Sequence, residues 1–193
     1  RTATGDSICP AFGTSERGLA YDPVSDTYYA GSWSDSIINH FAPDGTILDS
    51  KNVALSISGL AFNPGTGHLF VMTNADTTSD PAKYDVYTLD TTDNYTNLGG
   101  FNLMDGATKA FAGAEQAGLE IDCSGNLWAV NQNTQKVYVA DSGEAGICDN
   151  TYSTWLTATP DTGSTAPGGG AAVTRNTPGP GGGGVARTGS GDV

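Results

Sequence analysis

Short apolar runs separated by polar turns follow one another along this 193-residue chain, and the pattern repeats. Three segments open alike: Gly18-Leu19-Ala20-Tyr21-Asp22, Gly59-Leu60-Ala61-Phe62-Asn63 and Gly118-Leu119-Glu120-Ile121-Asp122. Each enters a polar turn (residues 23–26, 64–67 and 123–126) and continues into an apolar strand. Those strands are Thr27–Gly31, His68–Met72 and Leu127–Val130. A third strand follows in each unit, at Ile37–Phe41, Tyr84–Leu89 and Lys136–Ala140. A fourth is expected at Gly45–Ser50, Asn97–Phe101 and, in the third unit, Thr154–Ala158. Runs rich in β-branched and aromatic residues, bounded by Pro, Gly, Asn and Asp, read as antiparallel strands. Pro43-Asp44-Gly45 is a turn with a mechanism, because Pro presets φ and Gly accepts a positive one.

Four strands per unit of about 40 residues is the repeat of a propeller blade. The predicted fold is therefore all-β: a β-propeller-like array of about three four-stranded antiparallel blades, followed by an extended Gly/Pro-rich tail. The predicted organisation is an N-terminal segment 1–16, blades at 17–57, 58–116 and 117–156, and the tail 157–193. The longer second unit assigns two loops, Asn74–Lys83 and Met104–Glu115, the latter with a short helical turn around Ala107–Ala114. A meandering β-sandwich is the competing topology. Closed propellers have 4–8 blades. Three leave two outer faces and a strand edge open, and open edges recruit further chains.

The Gly-Leu-Ala-Tyr-Asp-Pro, Gly-Leu-Ala-Phe-Asn-Pro and Gly-Leu-Glu-Ile-Asp-Cys openings, each leading to a strand and then a Val-Tyr-containing strand, resemble the blades of secreted bacterial β-propellers of the NHL and YncE-like types. The resemblance covers about residues 17–156 and implies a fold, since propellers host enzymes, binders and scaffolds alike. Residues 155–164 resemble the first strand of a BACON-like or Ig-like module and 166–169 its first turn. The apolar strands such a module needs next do not follow, so the tail reads as a stub.

Composition divides the chain in two. Residues 157–193 hold 11 glycines and 4 prolines, with only Val173, Val185 and Val193 as large apolar side chains. Such a stretch buries too little surface to offset its own ordering entropy and needs a partner to be ordered. Its charges cancel, so the formal net charge of -13 belongs to residues 1–156. A polyanion of this kind is repelled by phosphate backbones and anionic lipid, which argues against nucleic-acid binding. No run of about 18 apolar residues exists, so no membrane span is expected. The chain begins at Arg1 without a signal-peptide core, and reads as a processed mature form or a fragment. Few charges, little Lys and three cysteines (Cys9, Cys123, Cys148) suit a secreted or cell-surface protein. A Cys123–Cys148 disulfide would staple the connection 143–153, leaving Cys9 free or paired between chains.

Candidate chemistry is sparse. Asp141-Ser142-Gly143 and Asp161-Thr162-Gly163 carry the tripeptide that aspartic proteases use in pairs, but they lie 20 residues apart and read as turns. Gly13-Thr14-Ser15 is followed by Glu16 and Arg17, where a subtilase serine loop needs small residues. His40 and His68 are the two possible bases, and both read as strand-facing polar residues. Without HExxH or CxxC, catalytic zinc is not expected. Asn74, Asp76, Thr78 and Asp80 place oxygen donors at alternate positions, as a calcium loop requires, while lacking its central Gly and closing Glu; a solvated acidic loop is the alternative. Residues 90–94 form a second acidic turn. The Gly181–Gly184 run lacks the Lys-Ser/Thr of a phosphate loop. Asn94-Tyr95-Thr96 is the one N-glycosylation sequon.

These readings converge on a non-catalytic extracellular structural protein. It is expected to be a subunit of a filament or surface layer whose partners are other copies of itself, docked through the C-terminal tail, with no cofactor beyond possible calcium. The alternatives are a propeller fragment of a secreted hydrolase that binds substrate or a partner, and a glycan- or protein-binding propeller that uses Tyr28, Trp33, Tyr84 and Tyr95.

Overall fold

The computed structural model describes residues 12, 15–74, 83–111, 115–147 and 187–188. Its described residues form three four-stranded antiparallel sheets in β-propeller-like array. The first blade runs β1 (Glu16–Asp22), β2 (Thr27–Ser32), β3 (Ile37–Phe41) and β4 (Ile47–Asn52). The second runs β5 (Ile57–Asn63), β6 (His68–Thr73), β7 (Val86–Asp90) and, after a 3-10 turn at Thr91–Asp93, β8 (Thr96–Phe101). A two-stranded hairpin follows, β9 (Met104–Asp105) with β10 (Thr108–Lys109). The third blade runs β11 (Gln116–Ile121), β12 (Asn126–Asn131), β13 (Lys136–Asp141) and β14 (Arg187–Thr188).

Each repeat opening does the same structural work. The register between first and second strands shifts at Glu16/Gly18, Ile57/Gly59 and Gln116/Gly118, so a bulge stands just before each repeat glycine. At the other end of the strand, the side chain of residue five caps the turn it enters. Asp22 accepts from Val24 N at 2.9 Å, Asn63 from Gly65 N at 3.0 Å and Asp122 from Ser124 N at 2.9 Å. These are Asx turns, which explains why only Asp or Asn stands there. Asp122 also accepts from Asn126 N and, at 3.0 Å, from Trp128 Nε1, which ties the third blade's second strand to the turn.

The blades pack face to face around converging inner strands. β5 lies between β1 and β11, and β1 also approaches β11. Two apolar seams result. Ala20, Tyr29 and Ile38 of the first blade meet Ile57, Leu60, Phe62, Leu69 and Val71 of the second. Ala61, Phe70 and Met72 of the second meet Leu119, Leu127, Ala129 and Tyr138 of the third, capped by Leu103 and Phe111. Covered on both sides, β5 is buried along its whole length, whereas β1 alternates with solvent and β11 is only partly buried.

Two expectations are corrected. The Met104–Glu115 loop holds a hairpin where a helical turn was expected: Gly106 turns the chain at φ 62° and Ala110 N closes back on Leu103 O at 2.8 Å. The place beside β13 expected for Thr154–Ala158 is taken by Arg187–Thr188, paired with Val139 and Tyr138 of the same chain. Residues 154–158 and the module-like stretch 155–169 lie outside the described residues, as does the remainder of the tail.

Candidate functional site

The sequence-selected residues do not converge. Asn74 ends β6's extension with its N–H on Ser56 O at 2.8 Å, while Asp76, Thr78 and Asp80 lie outside the described residues. Among the described residues no group of three or more His, Cys, Asp or Glu side chains is placed to hold a metal. The second acidic turn is internally satisfied, since Asp90 accepts from Thr92 N and Oγ1 at 2.8 and 2.7 Å. Asp141-Ser142-Gly143 is a turn in which Gly143 N donates to Asp141 at 2.9 Å; Asp161-Thr162-Gly163 lies outside the described residues. Cys123 is disulfide-bonded, and both Cys9 and Cys148 lie outside the described residues. Asn94 is exposed in a left-handed turn, its Oδ1 accepting from Lys51 Nζ at 2.9 Å.

Both histidines serve seams. His40 stacks on Tyr29 with centroids 4.4 Å apart, and its Nε2 lies 2.7 Å from Thr27 Oγ1. Burial holds its pKa below the ordinary histidine range. Thr27 in turn touches Ser25, which donates to Asp22. The carboxylate thus stands at the serine end of this chain of contacts, and the hydroxyl against the imidazole is the buried Thr27. That is not the nucleophile–base–orienter order of a catalytic triad. His68 Nδ1 lies 2.5 Å from Glu144, which also accepts from Asn63 and Thr66 at 2.9 and 2.8 Å, clasping the loop after β13 onto the second blade.

The four aromatics expected on the surface divide. Tyr95 is buried in the first seam: Asn94 and Tyr95 both adopt positive φ (51° and 59°), which turns the ring inward. Tyr84 lies against Gly100, and Trp33 carries the Arg17 guanidinium 4.4 Å over one face of its ring. Tyr28 sits half-buried on the outer face of the first blade, stacked 5.6 Å from Phe41.

That outer face is the most developed surface. Leu19 is 62% and Tyr21 46% exposed, and together with Tyr28, Ala30 and Phe41 they form an apolar sheet face against which no blade packs among the described residues. Phe12 lies along it, 5.3 Å from Phe41, and leaves a groove of about 370 Å³ lined by Glu16, Arg17, Gly18 and Leu19. At its rim burial, with the Asp35 carboxylate nearby, pushes the Glu16 carboxyl up to about 7. At the far end of the array the third blade presents a second face against which no blade packs among the described residues, with Gly118, Glu120, Trp128 and Val130. The sequence predicted open faces from the blade count but not their composition. The signal was available in the Gly-Leu dipeptide that opens every unit.

Comparison with protein families and with curated proteins finds no match. Among solved structures, the chain is similar to one from the nidogen/laminin complex, at 21% identity and a TM-score of 0.46 over 68% of this chain and 46% of that one. It is also similar to the hydrazine synthase of Kuenenia stuttgartiensis, at 12% identity and a TM-score of 0.45 over 74% of this chain and 37% of that one. The chain therefore spans less than half the length of either of these solved chains.

Proposed function

We propose that this chain is a non-catalytic structural module of an extracellular assembly, a filament or surface-layer subunit whose partners are other copies of itself. The observation that carries this reading is the pair of blade faces left uncovered among the described residues, one of them a contiguous apolar surface around Leu19 and Tyr21. Monomeric proteins seldom expose such a surface unless something binds there. The half-cystine at Cys123 supports an oxidising compartment, and a Cys123–Cys148 pair is the connectivity we assign. Within this reading the blades are of the NHL or YncE-like kind. The net charge of -13 keeps separate copies soluble, and salt or divalent cations screen it on assembly. The tail links copies by exchange: the strand position that Arg187–Thr188 fills on its own β13 is filled in the assembly by a neighbour's tail.

Negative-stain imaging of the full chain tests this. Polymers or large particles are expected, and deleting residues 157–193 removes them. A full-length chain that images only as single small particles contradicts the reading.

A further inference from the structure

The seams follow one rule. A β-carbon added at Gly18 would stand 2.7 Å from the Leu60 side chain, and one at Gly59 would stand 2.7 Å from the Leu119 backbone N. Each repeat leucine is thus seated on the repeat glycine of the preceding blade. Burial reports the same fit, at 1% exposure for Leu60 and 8% for Leu119. Phe62 extends the first seam by stacking on Tyr29, 5.2 Å between centroids. At the two ends of the array the rule is left half-complete. Leu19 has no glycine beneath it, and a β-carbon at Gly118 would meet nothing within 4 Å. Tyr21 stands at the Phe62 position, its ring 4.9 Å from Tyr28 of its own blade and 46% exposed, and Trp128 stands at the Tyr29 position of the third blade.

We propose that the occupant of the first blade's open face is the third blade of a second copy, with Leu19 of one chain seated on Gly118 of the other and Tyr21 against Trp128. This rests on the self-assembly reading above and names its contact. Both halves of the seam are carried by one sequence, so the contact is head to tail. Two copies supply six blades, within the four to eight that close a ring, whereas three copies supply nine. The repeating unit of the assembly is therefore a closed two-copy ring. One residue departs from the pattern: Glu120 stands where Ala20 and Ala61 line the internal seams, which makes the seam between copies more polar than the two within the chain.

The test is the native mass of the full chain and two variants, Leu19→Asp and Gly118→Trp, with circular dichroism confirming an unchanged fold. Leu19 is 62% exposed and a β-carbon at Gly118 meets nothing within 4 Å, so both substitutions are made on the open faces rather than in the seams within the chain. Each variant alone is expected to lose the two-copy unit, its apparent dissociation constant rising about 100-fold or more. A 1:1 mixture of the two regains a dimer held by one seam, where Leu19 of the Gly118 variant meets Gly118 of the Leu19 variant, while the other seam, which carries both substitutions, stays open. Assemblies that persist in both single variants, or a mixture that fails to recover a dimer, overturn the proposed contact and leave self-assembly standing. A wild-type chain that is monomeric at every concentration overturns the contact and the assembly reading together.

Discussion

Glu16 opens β1 with a carboxyl whose second oxygen, Oε2, is buried without a hydrogen-bond partner; the other accepts only a long 3.4 Å contact from Asn39. Burial, with Asp35 adding repulsion, raises its folded-state pKa from 4.5 to about 7. The folded chain therefore keeps a proton that the unfolded chain has lost, and the stability this gives is complete below about pH 4.5 and disappears as pH rises through about 7. Glu16→Gln removes the dependence. Urea unfolding at about pH 5 and pH 8 should show the variant losing roughly 1 kcal/mol less than wild type between the two, after allowance for solvent screening. An equal loss in both contradicts the assignment. At this scale the sequence was only partly legible. Asp22, Asn63 and Asp122 could be read as turn residues because the Asx turn is local. Tyr95 could not be placed, because its burial depends on two successive left-handed residues and on a neighbouring blade.

The element scale is where the repeat was most readable and where its errors are most instructive. Turn glycines and alternating strands marked three units correctly, since each strand's pattern is set by its own two faces. The continuous burial of β5 against the partial exposure of β1 and β11 is the signature of a middle blade between two end blades. The Ala107–Ala114 stretch suggested helix by propensity, yet Gly106 at positive φ and the burial of Leu103 and Phe111 select a hairpin. β14 leaves no mark in the sequence because two residues paired through their backbone need no apolar pattern. The repeat glycines make the seams testable. Gly59→Ala forces a β-carbon against the Leu119 backbone, which cannot swing aside, and is expected to cost about 1–3 kcal/mol of folding stability. Gly118→Ala meets open space in its own chain and should leave folding stability within about 0.5 kcal/mol while weakening self-association. Thermal and urea unfolding of the pair at dilute concentration decide this; equal destabilisation contradicts the glycine–leucine rule.

On the scale of the whole molecule, three blades make an arc, and its two ends carry the two halves of the seam used twice inside it. The sequence indicated that the array could not close alone, from the blade count. It could not indicate that Leu19 and Gly118 are the unmatched pair, because that follows from which face of each strand meets its neighbour. Among the described residues no helix is long and apolar enough to cross a membrane. The most direct measurement is sedimentation equilibrium of the full-length chain across a wide concentration range at physiological salt. Species at even multiples of the 19.7 kDa chain mass are expected, with the two-copy unit the smallest to persist as the protein is diluted towards dissociation. A single 19.7 kDa species at every concentration would contradict self-assembly.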